Sequence, residues 1–272
     1  MSSDKFIHSS RNKSLNNFLP KIDYKEFEKV IKSRRSIRFF TSEIIPENVI
    51  KNSLDNALLA PNSSNLQVWE IYWVKNLNKK KRLVKACLSQ AAASTAKELF
   101  VFVARPDNWK RNNKLMLDHI KKNNLNSKLL NYYSKITKIV YSQGLFNIIG
   151  LIKKILVTII GLFRAIPREP TSFSEMKIWS QKSIALACQN FMLSMRAYGY
   201  DTCPMEGMDS LKVKKILNLP RKAQISMVIG AGKRDIEKGV TVDQIRFDKN
   251  LFIKNSIVLA QVYFLFFIET IG

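Results

Sequence analysis

Ser33-Arg34-Arg35-Ser36-Ile37-Arg38-Phe39-Phe40 and, further along, Ala60-Pro61-Asn62-Ser63-Ser64-Asn65-Leu66-Gln67-Val68-Trp69 are the stretches on which the reading of this chain turns. The first offers fixed cations and a hydroxyl, and the planar fork of arginine suits a phosphate. Arg34 and Arg38 are four residues apart, about one helical turn, so both can face one anion with Ser36 between them. The same cluster equally suits a plain helix C-terminus, where cations are favoured without any ligand. In the second stretch Asn62, Ser63, Ser64, Asn65 and Gln67 crowd amides and hydroxyls together. A turn needs fewer, whereas a ligand with many hydrogen-bonding edges would use them all. A third string, Pro204-Met205-Glu206-Gly207-Met208-Asp209, combines a fixed dihedral with a glycine that admits close approach of a flat ligand. Read alone, it is a loop between two helices.

Charge is the unusual part of the composition. Forty-five Lys and Arg against 21 Asp and Glu leave +24, which favours anionic partners: phosphates, nucleotide cofactors, nucleic acid or anionic lipid. A solvated lysine-rich surface accounts for much of it, and no helix-turn-helix, zinc-finger or RNP sequence accompanies the charge, so nucleic acid is not expected. With only His8 and His119, a zinc site or histidine triad is not expected either, and no metal is assigned. Cys87, Cys188 and Cys203 are odd in number and far apart, neither a disulfide framework nor a CxxC pair. The polar N-terminus lacks the apolar run of a signal peptide, and a cytoplasmic location is expected. No Gly-rich dinucleotide turn is present, so a phosphate must be held by side chains, which fits a mononucleotide better.

Along the chain, residues 1–21 read as a flexible leader. Asp23-Tyr24-Lys25-Glu26 has capping-box form and opens a helix carrying Tyr24, Phe27, Val30 and Ile31 at helical spacing. A second helix from Pro46 to about Pro61 buries Val49, Ile50, Leu54, Ala57 and Leu58. Val68–Val74, Leu99–Val103 and Ile225–Gly230 read as strands. Ser172-Phe173-Ser174-Glu175 opens a long helix to about Tyr198, with Ile178, Ala185, Cys188, Phe191, Met192 and Met195 inward and Gly199 as its stop. A few strands among long helices predict an α+β fold, a central mixed sheet flanked by helices, as one domain over 1–272.

Two apolar stretches stand out. Leu145–Phe163, inside a helical region of 107–170, is long enough to invite a transmembrane reading, but Lys153 and Lys154 at its middle oppose it. It is either a lid over a ligand's open face or a segment lying on an anionic membrane. The C-terminal extension 251–272 contains Ile257–Ile268, shorter than the roughly 20 residues needed to span; packing across a partner subunit is expected to cover it.

The order and spacing of the strings, Arg-Arg-Ser-x-Arg-x-Phe, Ala-Pro-x-x-x-Asn-x-Gln-x-Trp and Pro-x-Glu-Gly-x-Asp, resemble the FMN-binding nitroreductase family over roughly 23–105 and 172–250. The resemblance implies a dimer in which Arg34, Arg35, Ser36 and Arg38 hold the FMN phosphate and ribityl end. It implies that Pro61, Asn62, Ser63, Asn65 and Gln67 reach the partner's flavin. Pro204, Met205, Glu206 and Gly207 are then placed against the isoalloxazine. Arg246 is the best match to a C-terminal phosphate ligand and Lys233 a second one; Gln90 is the candidate for the pyrimidine edge. Val68 stands where the family often has proline. No catalytic side chain is implied, because the flavin carries the redox chemistry. The implied activity is ping-pong hydride transfer through flavin N5, from NADH or NADPH to a nitroaromatic, quinone or related conjugated small-molecule acceptor. The alternative is a non-catalytic flavin-binding or membrane-surface protein that keeps the fold.

Overall fold

Asp23 caps the first helix through a hydrogen bond from Lys25 N, and α1 runs Tyr24–Ser33. The computed structural model describes residues 20–240 and 242–254; most of the leader and the run Ile257–Ile268 lie outside them. Residues up to Val240 form one compact unit, and those from Thr241 a second, small one, in which Asp248 caps a short 3-10 turn at Lys249–Leu251.

In the first unit α2 spans Glu47–Leu58, β1 Trp69–Trp73, α3 Leu77–Ala86, α4 Ala91–Ser94 and β2 Glu98–Ala104. The basic region follows as α5 (Trp109–Lys122), α6 (Ser127–Asn131), a turn of π-helix (Tyr132–Ile136), α7 (Thr137–Tyr141) and α8 (Ile148–Ile160). The chain closes with α9 (Phe173–Ala197), β3 (Asp201–Met205), α10 (Ser210–Leu217) and β4 (Gln224–Gly232).

The sheet order is β1-β2-β4-β3, and every strand pair is antiparallel. The mixed character expected from sequence reduces to one isolated parallel bridge, Ser36 to Thr202. Alternation along β2 divides the core in two, as strand geometry requires. Leu99, Val101 and Val103 pack with α3 and α10 residues such as Leu83 and Val213; Phe100, Phe102 and Ala104 pack with α2 and α9 residues such as Ile50, Ile184 and Phe191. A bulge opposite Phe102 and Val103 skips one residue of β4. It turns Ile225 to the same side as Val228, which a strict period of two would not allow.

Ser172 caps α9 by accepting from Glu175 N at 3.1 Å. Gly199 ends it at φ +82 with Tyr200 N bonded to Met195 O, the six-to-one bond of a Schellman stop. Met176, Ser180, Ile184, Cys188, Phe191 and Met195 face inward at helical spacing. Ile178 and Ala185, expected inside, are exposed: α9 is apolar on more than one side, so periodicity does not select its buried face. Leu58 is likewise exposed, while Val49, Ile50, Ser53 and Ala57 are buried. No residue of α1 is buried, and Tyr24, Phe27 and Ile31 form an exposed apolar stripe.

Candidate functional site

After Ser33 the backbone turns extended at Arg34. An extended chain sends neighbouring side chains to opposite sides, and the sequence uses this. Ile37 is fully buried, whereas Ser36 and Arg38 on either side of it are exposed. Arg34, Ser36 and Arg38 therefore share a side through a period of two rather than through a helical turn. The loop is stitched down at both ends. Ile37 N donates to Thr202 O at 3.1 Å, Thr41 N to Lys233 O at 2.9 Å and Phe40 N to Thr95 Oγ1 at 3.2 Å.

A buried carboxylate anchors the loop's entry. Asp201, with its side chain 1% exposed, accepts from Arg196 Nη1 at 3.0 Å and from Arg234 Nε and Nη2 at 2.7 Å each. Both arginines continue onto the end of α1: Arg196 Nε donates to Ser33 Oγ at 3.1 Å and Arg234 Nη2 to Ser33 O at 3.3 Å. Hydrogen bonding to Asp201 holds the Arg234 guanidinium more firmly protonated than usual. Sequence reasoning missed this cluster. Asp201, Arg196 and Arg234 are scattered residues with no motif, and Lys233 drew the attention due to its neighbour.

The third string is not a loop between helices: its first two residues, Pro204 and Met205, end β3. Pro204 is tolerated there because β3 is an edge strand. Burial pushes the Cys203 thiol up, and Arg38 and Arg34 pull it partly back; the first string itself lies along this strand, with Ser36 bridged to Thr202 and Ile37 N bonded to Thr202 O. Past its end, Gln90 Nε2 donates to Gly207 O and to Cys87 O, each at 3.1 Å, and Asp209 N donates to Ala86 O at 2.8 Å. The first string thus lies along β3, bonded at Thr202, and Gln90 meets the third string just past the strand's C-terminal end.

Two observations make the surroundings of β3 a candidate ligand site. Among the described residues neither Arg34 nor Arg38 has a carboxylate partner, unlike Arg105, Arg196 and Arg234. Glycine at 207 is not demanded by the fold. Its φ is not positive, and an added Cβ would meet no atom within 4 Å. A bare backbone facing open space suits a flat ligand lying close against it.

The second string lies elsewhere in the chain's own bonding. Ser63 and Ser64 hydroxyls meet Tyr141 Oη at 2.9 and 2.8 Å, Ser64 Oγ meets Tyr132 Oη at 2.6 Å, and Tyr133 Oη donates to Ser64 O. Asn62 Oδ1 accepts from Gln67 N at 2.8 Å, and Gln67 Nε2 donates to Asn65 Oδ1 at 3.3 Å. Ser64, Asn65 and Gln67 all hold left-handed φ near +50, a cost that structures concentrate at functional sites. Asn65 and Gln67 line a cleft of 540 Å³ with Trp69, Arg111, Met116 and His119, while Pro61 is exposed.

Lys233 Nζ stands 5.6 Å over the Tyr200 ring, in a cleft shared with Thr41, Glu43 and Asp201. Arg246 belongs to the second unit, exposed, with its guanidinium on Ile245 O at 2.7 Å. Arg35 is half-buried.

This chain is 27% identical over 199 residues to the NADH dehydrogenase of Thermus thermophilus, covering 73% of the chain and 82% of that protein. It is 46% identical over 55 residues to protein DrgA of Synechocystis, a local match spanning 20% of the chain and only 26% of DrgA. In three dimensions it superimposes on a protein from Exiguobacterium sibiricum solved in complex with FMN, with TM-score 0.61, 20% identity and coverage of 88% and 99% of the two chains. The nitroreductase family model matches residues 31–139 and 156–233, which takes in the loop after α1, the polar string, both core layers and the end of β3. By that match, over most of its length, the chain belongs to the nitroreductase family.

Proposed function

We propose that this oxidoreductase of the nitroreductase family binds FMN and uses NADH or NADPH to reduce a nitroaromatic, quinone or related conjugated acceptor. The observation that carries the reading is that one strand, β3, has the Arg34–Arg38 string bonded along it, its arginines without carboxylate partners among the described residues, and an unobstructed glycine just beyond its end. Arg34 and Arg38 are suited to the phosphate, each through charge-assisted bonds. Ser36 adds a hydroxyl between them. Gly207 offers backbone without a side chain, and Gln90 holds its carbonyl, spending its amide donors on Cys87 O and Gly207 O and keeping its own oxygen for a ligand. The Asp201 clamp fixes where α1 ends and hence where the cations begin. When bound, a flavin supplies the redox chemistry, taking hydride at N5 from the nicotinamide and passing electrons to the acceptor. The chain's share is to bind, orient and neutralise developing negative charge with fixed cations.

The reading includes a cytoplasmic homodimer, each protomer a single domain. The exposed stripe on α1 and the exposed Ile178 and Leu186 on α9 are apolar surfaces of the kind subunit contacts cover. In that assembly the Pro61–Gln67 loop serves the partner's flavin, which accounts for its distance in bonding from the other two strings. The test is direct. Purified protein is expected to be yellow, to release FMN rather than FAD on denaturation, and to bleach on addition of NADH or NADPH. Protein that stays colourless after incubation with FMN overturns the reading; flavin that binds but never turns over would leave a non-catalytic flavoprotein.

A further inference from the structure

Helix α8 is mounted with its polar side inward. Lys153, one of the two lysines that interrupt the apolar run, donates from Nζ to Val140 O at 2.8 Å and Pro170 O at 3.1 Å. Burial holds its ammonium below the ordinary lysine pKa. One turn earlier, Gly150 packs so tightly that a Cβ would fall 2.1 Å from Thr171 O and 2.5 Å from Asn147 Oδ1. Its N–H donates to Gln143 O at 3.1 Å. At the other end Arg168 covers two terminal carbonyls, donating to Val157 O at 3.4 Å and Gly161 O at 3.1 Å, so orphan helix acceptors are satisfied. Gly150, Lys153 and Val157 thus form the attached face.

The opposite face is apolar and bare. Eleven large apolar side chains between Leu145 and Phe163 are exposed. Leu151, Ile155 and Leu162 run along its centre, and Phe146 and Phe163 stand 85% and 84% exposed at its two ends. Phe146 is held outward by a turn in which Gly144, Phe146 and Asn147 all have positive φ, unusual for a bulky residue. An exposed apolar patch of this length marks an interaction surface.

Charge selects the occupant. Residues 110–168 contain twelve Lys and Arg and one acid, Asp118, and Lys135, Lys138, Lys154, Arg164 and Arg168 are exposed. A second copy docked through α8 by two-fold symmetry would set this basic region against itself. An anionic bilayer supplies both an apolar interior and a negative rim. The helix is 13 residues long, about 20 Å, against a hydrocarbon core of about 30 Å. Among the described residues no single helix is long and apolar enough to cross; only the pair Ser127–Tyr141 and Leu145–Ile160 meets the length jointly, bent by 71°.

We propose that the outward face of α8 docks this protein onto an anionic lipid surface, with the helix lying in the headgroup plane and Lys154 and Arg164 at its basic margin. The proposal stands independently of the flavin reading.

Vesicle flotation of the full chain tests it, comparing phosphatidylcholine alone with phosphatidylcholine containing phosphatidylglycerol. Wild-type protein is expected to float with the anionic vesicles at low salt and to be released as salt rises. The double variant Leu151→Glu/Ile155→Glu, both at exposed positions, is expected to lose partitioning about tenfold or more with an unchanged circular-dichroism melt. Lys154→Ala/Arg164→Ala is expected to weaken binding to anionic vesicles only. Wild type that does not float, or a double glutamate variant that floats equally well, overturns the proposal. So does a bimane label on Ile155→Cys that is already blue-shifted without vesicles and unmoved by them, since the face would then be covered by a second copy or by Ile257–Ile268.

Discussion

Arg196 and Arg234 hold Ser33, the residue from which the loop carrying Arg34 and Arg38 departs, yet the two pairs are built differently. The first pair closes on Asp201, a carboxylate almost wholly removed from water, and spends its remaining donors on Ser33. The second pair has no carboxylate among the described residues and flanks Ser36, which bridges to Thr202 of β3. A guanidinium inside a protein is matched by an internal anion; one held in place without such an anion is matched to something that arrives from outside. The comparison also shows the division of labour: the matched pair fixes the geometry from which the unmatched pair operates.

Removing the internal anion gives the largest expected effect. Asp201→Ala leaves two guanidinium groups facing each other in a site that is mostly buried. Urea denaturation is expected to show a loss of about 3–5 kcal/mol, as for other buried pairs broken on one side, with the loop after Ser33 and any bound flavin lost together. An Asp201→Ala protein as stable as wild type would erase the distinction between the two arginine pairs.

Arg34→Ala and Arg38→Ala are expected to behave in the reverse sense. Stability in urea should stay within about 0.5 kcal/mol, while fluorescence titration shows FMN weakened by about 1.5–3 kcal/mol for each lost charge-assisted contact. A melting temperature that collapses in either variant would move that arginine into the structural class.

Gly207→Val sharpens the contrast without touching charge. The new side chain meets nothing inside the protein, so the thermal melt is expected to be unchanged, and about tenfold weaker FMN binding is expected as the side chain intrudes on the ligand's face. Equal affinity would show that no ligand approaches there.

The smallest effect concerns a third, largely buried cluster in which Arg105 binds Asp107 at 2.9 Å and Glu70 at 2.6 Å. Burial would raise the Asp107 pKa, but Arg105 outweighs it and holds the carboxyl below its usual value. A depressed folded pKa contributes stability that is present above the ordinary aspartate pKa of about 3.9 and disappears as pH falls through the folded value. Asp107→Asn is therefore expected to flatten the acid limb of a stability–pH curve below about pH 4 and to leave neutral-pH flavin binding untouched.

The helices and three of the four strands were legible because their caps and periods are local. Ser172 and Glu175 announce α9, and the apolar run from Leu99 announces β2. β3 was illegible because Pro204 reads as a turn residue, and only its place at the sheet edge makes it tolerable. The cations of the site were legible by type, though for a different geometric reason from the one their spacing offered. Asp201 was not legible, since nothing local distinguishes a clamped aspartate from a solvated one; its partners come from α9 and from beyond β4. The orientation of Lys153 was illegible for the same reason: the sequence marks it only as an obstacle to a membrane span, and the carbonyls of Val140 and Pro170 show that it points inward.

The Asp201 clamp also orders events in time. Ser33 waits for Arg196, 163 residues downstream, and for Arg234, 201 residues downstream. Contacts so distant in sequence close late, because the intervening chain must be organised before the loop entropy is recovered. A ribosome emitting this protein therefore exposes α1 and its arginines long before anything exists to seat them. Seating of the loop that carries Arg34 and Arg38 becomes a late step of biogenesis, gated by synthesis of β4 and the arginine that follows it.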